Sequence, residues 1–205
     1  MKSDREYRDL KIEVEERKEN GELSYLVKGY ASTFEPYVLF EEEGIQYKEQ
    51  IDPHAFDECD MSDVVFRIDH EGAVYARSSA GTLTISVDEH GLKDEADLSK
   101  TENSRRLFED IAAGNYPKQS FAFIVESDTY DKKTHTRTIN KIKKLFDVSP
   151  VSFPANPGTE LDIATRDYFN GVIEAEKAER LESEKREKAK KALELKIKIA
   201  ERNQK

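Results

Sequence analysis

Gly81-Thr82-Leu83-Thr84-Ile85-Ser86-Val87 alternates apolar and polar residues without a break, and Asp88-Glu89-His90-Gly91 turns it into a second run, Leu92 to Leu98. Alternation with period two on both sides of a polar, glycine-ended turn is the pattern of an antiparallel hairpin. The same texture continues upstream. Leu10, Ile12 and Val14 alternate with polar residues, Ser24 to Ser32 reads as a strand, and Gly44 and Pro53 bracket another near Gln46 to Ile51. Val64 to Ile68 is a further strand, ending at His70, and Pro53 is placed to open a short helix through Cys59.

Downstream of the hairpin the period changes. Ser99-Lys100-Thr101-Glu102 fits a capping box, Leu107, Phe108, Ile111 and Ala112 fall on one helical face, and Gly114 suits the position after the helix. Ser120 to Glu126 and Thr134 to Val148 then read as strands joined by a polar turn, Ser127 to Lys133. Pro150, Pro154 and Pro157 predict an extended segment that cannot be a central strand. The expected fold is mainly β with flanking helices (α+β): a small, mostly antiparallel β-barrel followed by a charged C-terminal helix.

Charge divides the chain. From Gly171 to Lys205 there are 11 Lys and Arg against 8 Glu, which leaves the other 170 residues at a net −13. This predicts a body at 1–165 and a charged helical tail at 166–205. The tail residues Leu181, Leu193, Leu195, Ile197 and Ile199 do not sustain a heptad seam, so the tail reads as a solvated or partner-dependent helix. An acidic body argues against nucleic acid as a partner. No run approaches the roughly 18 apolar residues of a membrane span. Met1 to Glu6 has no apolar stretch of the kind a secretory signal carries, and the single Cys59 excludes an internal disulfide. The expectation is a soluble protein of a reducing compartment.

Three strand-like segments each hold one reactive side chain: His70 after Val65-Phe66-Arg67-Ile68-Asp69, Ser120 within Lys118 to Val125, and Asp147 within Lys143 to Val151. A nucleophilic hydroxyl needs a base, and the base needs an acceptor that orients it. On a strand, Phe121 and Phe123 face one side while Ser120 and Ala122 face the other, leaving room beside the hydroxyl for a scissile carbonyl. A solvent-facing serine at a strand start is the commoner outcome on spacing alone. His70 sits where a strand meets a loop, and imidazole is the side chain that changes charge near neutral pH; a structural histidine is the competing reading. Asp147 lies between apolar neighbours and needs a donor, which an imidazole N–H would supply. Asp69 is set aside, because adjacent strand residues point to opposite faces. His54, His90 and His135 sit in turns or beside lysines, and no spacing of His, Cys or carboxylates predicts a metal site.

Several pieces together resemble the prohead proteases of tailed phages, capsid-maturation serine proteases related in fold to the herpesvirus assemblins. The resemblance runs from about Lys28 to Pro157. It comprises Gly29 to Phe34, Ile51-Asp52-Pro53-His54-Ala55-Phe56 (similar to the family's PGAF), Asp69-His70, Gly81-Thr82-Leu83 and Gly91-Leu92. It continues through Ser120-Phe121-Ala122-Phe123 (similar to SFGF), Asp147-Val148-Ser149 and Phe153-Pro154-Ala155-Asn156-Pro157. Ala122 and His54 stand where the family pattern has glycine. The resemblance implies Ser120 as nucleophile, His70 as general base and Asp147 as the third member, a place that assemblins fill with a second histidine. It implies a serine endopeptidase that cleaves scaffold and capsid proteins, and itself, inside the immature capsid in the host cytoplasm. It further implies no cofactor, the major capsid protein and its scaffold region as partners, and a homo-oligomer. Arg77 is a candidate oxyanion donor. The alternative from another class is an inactive assembly module that docks on capsid protein through the tail. A small-molecule esterase is disfavoured, since no Gly-x-Ser-x-Gly elbow is present.

Overall fold

The structure is a computed structural model that describes residues 6–19, 22–152 and 163–203. The chain divides into two units, one up to Ala164 and one from Thr165 onward. In the first unit the strands are β1 (Glu6–Glu19), β2 (Glu22–Thr33), β3 (Tyr37–Glu42), β4 (Ile45–Ile51), β5 (Val65–Ile68), β6 (Glu71–Arg77), β7 (Leu83–Val87), β8 (Gly91–Asp97), β9 (Lys118–Asp131) and β10 (Thr136–Val151). One helix, α1 (Glu102–Ala112), precedes β9, and α2 (Ile163–Asn203) follows β10.

β1 belongs to two sheets. Its first half pairs with β9 (Leu10↔Gln119) and its second half with β2 (Ile12↔Gly29). One sheet runs β3-β4-β10-β9-β1 and the other β1-β2-β8-β7, with β5 attached to β10 and β6 to β5. Most pairs are antiparallel; β10 takes β4 and β5 in parallel. The expected barrel is not formed. Closure needs the two free edges to meet at ladder spacing, but the strand path ends at β3 in one sheet and β7 in the other, and the sheets share only β1.

Between the sheets lies one core. Phe66, Phe121, Phe123, Ile139, Leu145 and Val148 meet Val27, Leu92 and Ala96, and α1 contributes Leu107, Phe108 and Ile111. The 81–98 hairpin and α1 form where the alternation and the helical face predict them. Ala112, expected on that face, is exposed.

Four local expectations are corrected, the first two because a long-range bond outbids a local one. Residues 53–59 make successive i→i+3 turns and not a helix; the Ala55 carbonyl, which a helix would need for Cys59 N–H, accepts from Ile142 N at 2.9 Å. Ser99 does not cap α1. Its hydroxyl accepts from Tyr25 N at 2.9 Å, and Thr101 caps instead, accepting from Ser104 N at 3.0 Å. Pro150 lies inside β10, opposite Gln119. Amide nitrogen and carbonyl of one strand residue point the same way, and the Pro150 carbonyl faces the β5–β6 turn, so β9 loses no donor. The β9–β10 turn is shorter than the predicted Ser127–Lys133 and lies later: β9 runs on to Asp131, and β10 begins at Thr136, two residues after the expected Thr134. Pro154 and Pro157 lie outside the described residues.

Two polar clusters are sealed in the body. Arg137 reaches Glu49 (Nη1–Oε2 3.2 Å) and Asp128 (Nε–Oδ2 2.6 Å), while Tyr37 donates to Glu49 Oε1 at 2.5 Å. Arg137→Lys keeps the charge but not the planar fork. It is expected to cost about 2 kcal/mol, read as a lower urea midpoint at unchanged slope. An unchanged midpoint would show that this network carries no stability.

The second cluster crosses between the sheets. Gln119 Nε2 donates to Asp94 Oδ1 at 2.7 Å, and both side chains are buried. Gly29 makes the crossing possible, since a Cβ there would sit 2.3 Å from Gln119 Nε2. Burial pushes the Asp94 carboxyl up to about 7, against the lowering effect of the Gln119 bond.

In the second unit, Thr165, Phe169 and Ile173 are buried near the start of α2. Leu181, Leu193 and Leu195 are 56–60% exposed, and Glu187–Lys191 forms an i,i+4 pair at 4.0 Å. No described helix is long and apolar enough to cross a membrane.

Candidate active site

β9 is central at its start, with β1 on one side and β10 on the other, and residues 119–123 are all buried. Phe121 and Phe123 stack with centroids 4.6 Å apart and an interplanar angle of 13°, so they share a face, as alternation requires. Ser120 and Ala122 occupy the opposite face. Across the ladder, Ser149 pairs with Ser120 and Asp147 with Ala122. Directly opposed residues share a face, so Ser120, Ala122, Asp147 and Ser149 form one small patch.

His70 arrives from a different element. β5 pairs with β10 at Asp147↔Val65 and Val148↔Phe66, then turns into β6 through Asp69 and His70. Both turn residues have positive φ, 47° and 59°. The turn presents the imidazole to β10: His70 Nδ1 lies 2.6 Å from Asp147 Oδ1. Ser149 Oγ donates to the same oxygen at 2.7 Å. The Asp147 side chain is 2% exposed and that of His70 17%. A buried carboxylate is thus satisfied by a hydroxyl and a ring nitrogen.

Ser120 Oγ is buried and has no hydrogen-bond partner among the described residues. His70 and Asp147 are therefore joined, whereas the Ser120 hydroxyl lies on the same sheet without a hydrogen bond to the imidazole. A buried hydroxyl with no partner is rare and calls for a reason, a catalytic role among them.

The other sequence candidates lie elsewhere. His54 is exposed and pairs with Asp57 at 3.1 Å. His135 accompanies Tyr130 in the β9–β10 turn, and His90 stacks edge-on with Tyr30. Arg77 is chelated by the Asp63 carboxylate, one arm at 2.8 Å, and that pair holds the Asp63 acid down at about 2. A guanidinium so engaged is a poor oxyanion donor. No group of three or more His, Cys, Asp or Glu among the described residues could hold a metal ion. Ser149 escaped the sequence reading. The alternation Asp147-Val148-Ser149 carried the signal, because residues two apart share a face.

No curated protein matches the chain significantly. Among solved structures it is similar to the capsid assembly protease of bacteriophage T4, gp21, with 13% identity and a TM-score of 0.40, covering 71% of this chain and 98% of that one. The family described as caudovirus prohead serine protease matches residues 10–172, a span that contains every residue of the patch and the His70 turn. This chain belongs to the caudovirus prohead serine protease family.

Proposed function

We propose that Ser120, His70 and Asp147 form the catalytic triad of an endopeptidase that cleaves scaffold and capsid proteins within the immature phage shell. The observation that carries this reading is the 2.6 Å His70–Asp147 contact on the sheet face that also bears Ser120. With Nδ1–H donated to Asp147, the imidazole is held in the tautomer whose Nε2 can accept a proton. His70 takes the Ser120 proton as Oγ attacks the peptide carbonyl, then returns it to the leaving amine. Water resolves the acyl-enzyme by the same route in reverse. Ser149 helps hold the Asp147 carboxylate in place. Substrate binding must bring Ser120 Oγ and the imidazole within reach, as apo geometries often require.

The finer parts of the reading concern substrate and tail. Residues 1–165 are proposed as the protease domain and 166–205 as a segment for docking or self-processing, with the protein working as a homo-oligomer inside the shell in the host cytoplasm. Mixing the purified chain with its capsid protein, still carrying the scaffold region, should yield discrete cleavage products and a trimmed protease. Intact capsid protein after prolonged incubation in assembled shells would overturn the reading. The family match reaches residue 172, so the tail is tested by truncation after Ala175. That variant should cleave free capsid protein yet enter shells poorly; parental incorporation would remove the docking role.

A further inference from the structure

We propose that Asp69 is a positioning residue for His70: its carboxylate, bonded twice to Ser152, locks the left-handed turn that presents the imidazole to Asp147. This rests on the triad reading above. The β5–β6 connection has only two central residues, and both have positive φ. That is the type I′ pattern, in which glycine, asparagine and aspartate are preferred. Aspartate suits the first position. Histidine at the second is tolerated there more often than most residues, but its Cβ still carries a cost. Such a conformation persists when surrounding bonds over-determine it.

Arg67, whose Nη2 donates to the Gly72 carbonyl at 3.0 Å, supplies one such bond, and Asp69 supplies three. Asp69 N–H donates to the Pro150 carbonyl at 3.1 Å. Ser152 N–H donates to Asp69 Oδ1 at 2.8 Å, and Ser152 Oγ to Oδ2 at 2.6 Å. Pro150 and Ser152 follow Asp147 on the same stretch of chain, so the turn that carries the base is fastened beside the strand that carries its acceptor. The ladder alone is a weak fastening, since β5 is four residues long and pairs with β10 at two positions. Asp69 lies in the turn and not on a strand, and its carboxylate is bonded to Ser152 while the imidazole meets Asp147.

Two readouts test it, neither needing the natural substrate. One is the rate at which diisopropyl fluorophosphate labels Ser120: the Oγ–P bond forms, fluoride leaves, and the hydroxyl proton passes to His70. The other is the downfield Nδ1–H proton resonance of a His–Asp hydrogen bond. Asp69→Gly keeps the left-handed turn and deletes both acceptor oxygens. It should slow labelling at least tenfold and erase or broaden the downfield proton, while the thermal midpoint stays within a few degrees. Asp69→Asn, which also tolerates the turn but keeps one acceptor, should recover part of the rate. Ser152→Ala should lose a few-fold. If Asp69→Gly does not fold, the asparagine and Ser152→Ala variants decide. Parental labelling and an intact downfield proton in the folded variants would overturn the proposal. His70→Ala run alongside separates the two failures: labelling at the parental rate there would sink the triad itself.

Discussion

Ser120→Ala is expected to abolish proteolysis and, at the same time, to make the protein slightly more stable. A triad acts as a unit, so losing its nucleophile should cost about a thousandfold to a millionfold in cleavage rate. The stability half follows from burial. Ser120 Oγ is buried with no partner among the described residues. Such a hydroxyl carries a desolvation penalty of about 1–3 kcal/mol, which alanine does not incur. The methyl group remains against Ala122 and the β10 face, so no cavity larger than one oxygen opens. A thermal midpoint that holds or rises, together with loss of cleavage, is the expected pair of results. His70→Ala should match the kinetic loss, and Asp147→Asn should cost about ten-thousandfold by favouring the wrong tautomer. Undiminished cleavage by the alanine variant would remove Ser120 from the mechanism. A fall of several degrees would mean that the hydroxyl has a structural bond after all.

The second large effect is expected in stability against pH. The Asp94 acid is raised to about 7 in the folded chain by burial, against about 3.9 when unfolded. The folded state therefore binds the proton more tightly. Its contribution is fully present below about pH 4 and is lost as pH rises through 7, up to about 4 kcal/mol in all. Between pH 5 and pH 8 the loss should be about 2–3 kcal/mol. Other carboxylates act oppositely: Asp63 beside Arg77, and Asp60 beside Lys144, are held down and lose their contribution as pH falls. The test is thus the difference between the parent and Asp94→Asn. A protonated Asp94 can donate from Oδ2 to Gln119 Oε1, two atoms that otherwise lack partners. An asparagine amide can do the same at any pH. Urea unfolding should place the two proteins close together at pH 5 and the variant ahead at pH 8. A difference that does not change with pH would show that Asp94 stays ionised.

Much of the fold was legible because its signals are local. The alternation over 81–98, the helical face of Leu107, Phe108 and Ile111, and the stacked pair Phe121 and Phe123 need only a residue's nearest neighbours to be read. β3 and β6 were missed for the same reason. Tyr37–Glu42 is short and mixed in burial and Glu71–Arg77 is largely exposed, neither alternates, and they are strands because β4 and β5 pair with them. His70, Ser120 and Asp147 could be nominated from residue type and setting. Ser149 and Asp69 take their roles from bonds across 2 and 83 residues of sequence.

What the chain determines by itself is therefore the inventory: acidic body, charged tail, strands, one helix and three reactive side chains. What only the tertiary structure decided is who meets whom. Ala55 and Ser99 each had a sound local assignment, and each was overruled because a distant strand supplied the donor to the acceptor that the local motif required. A backbone group can be spent once, and in a buried sheet the long-range partner excludes water as well as bonding. For the same reason the sheets share β1 and stay open: the register of β9 against both β1 and β10 sets the order, and no local pattern encodes it.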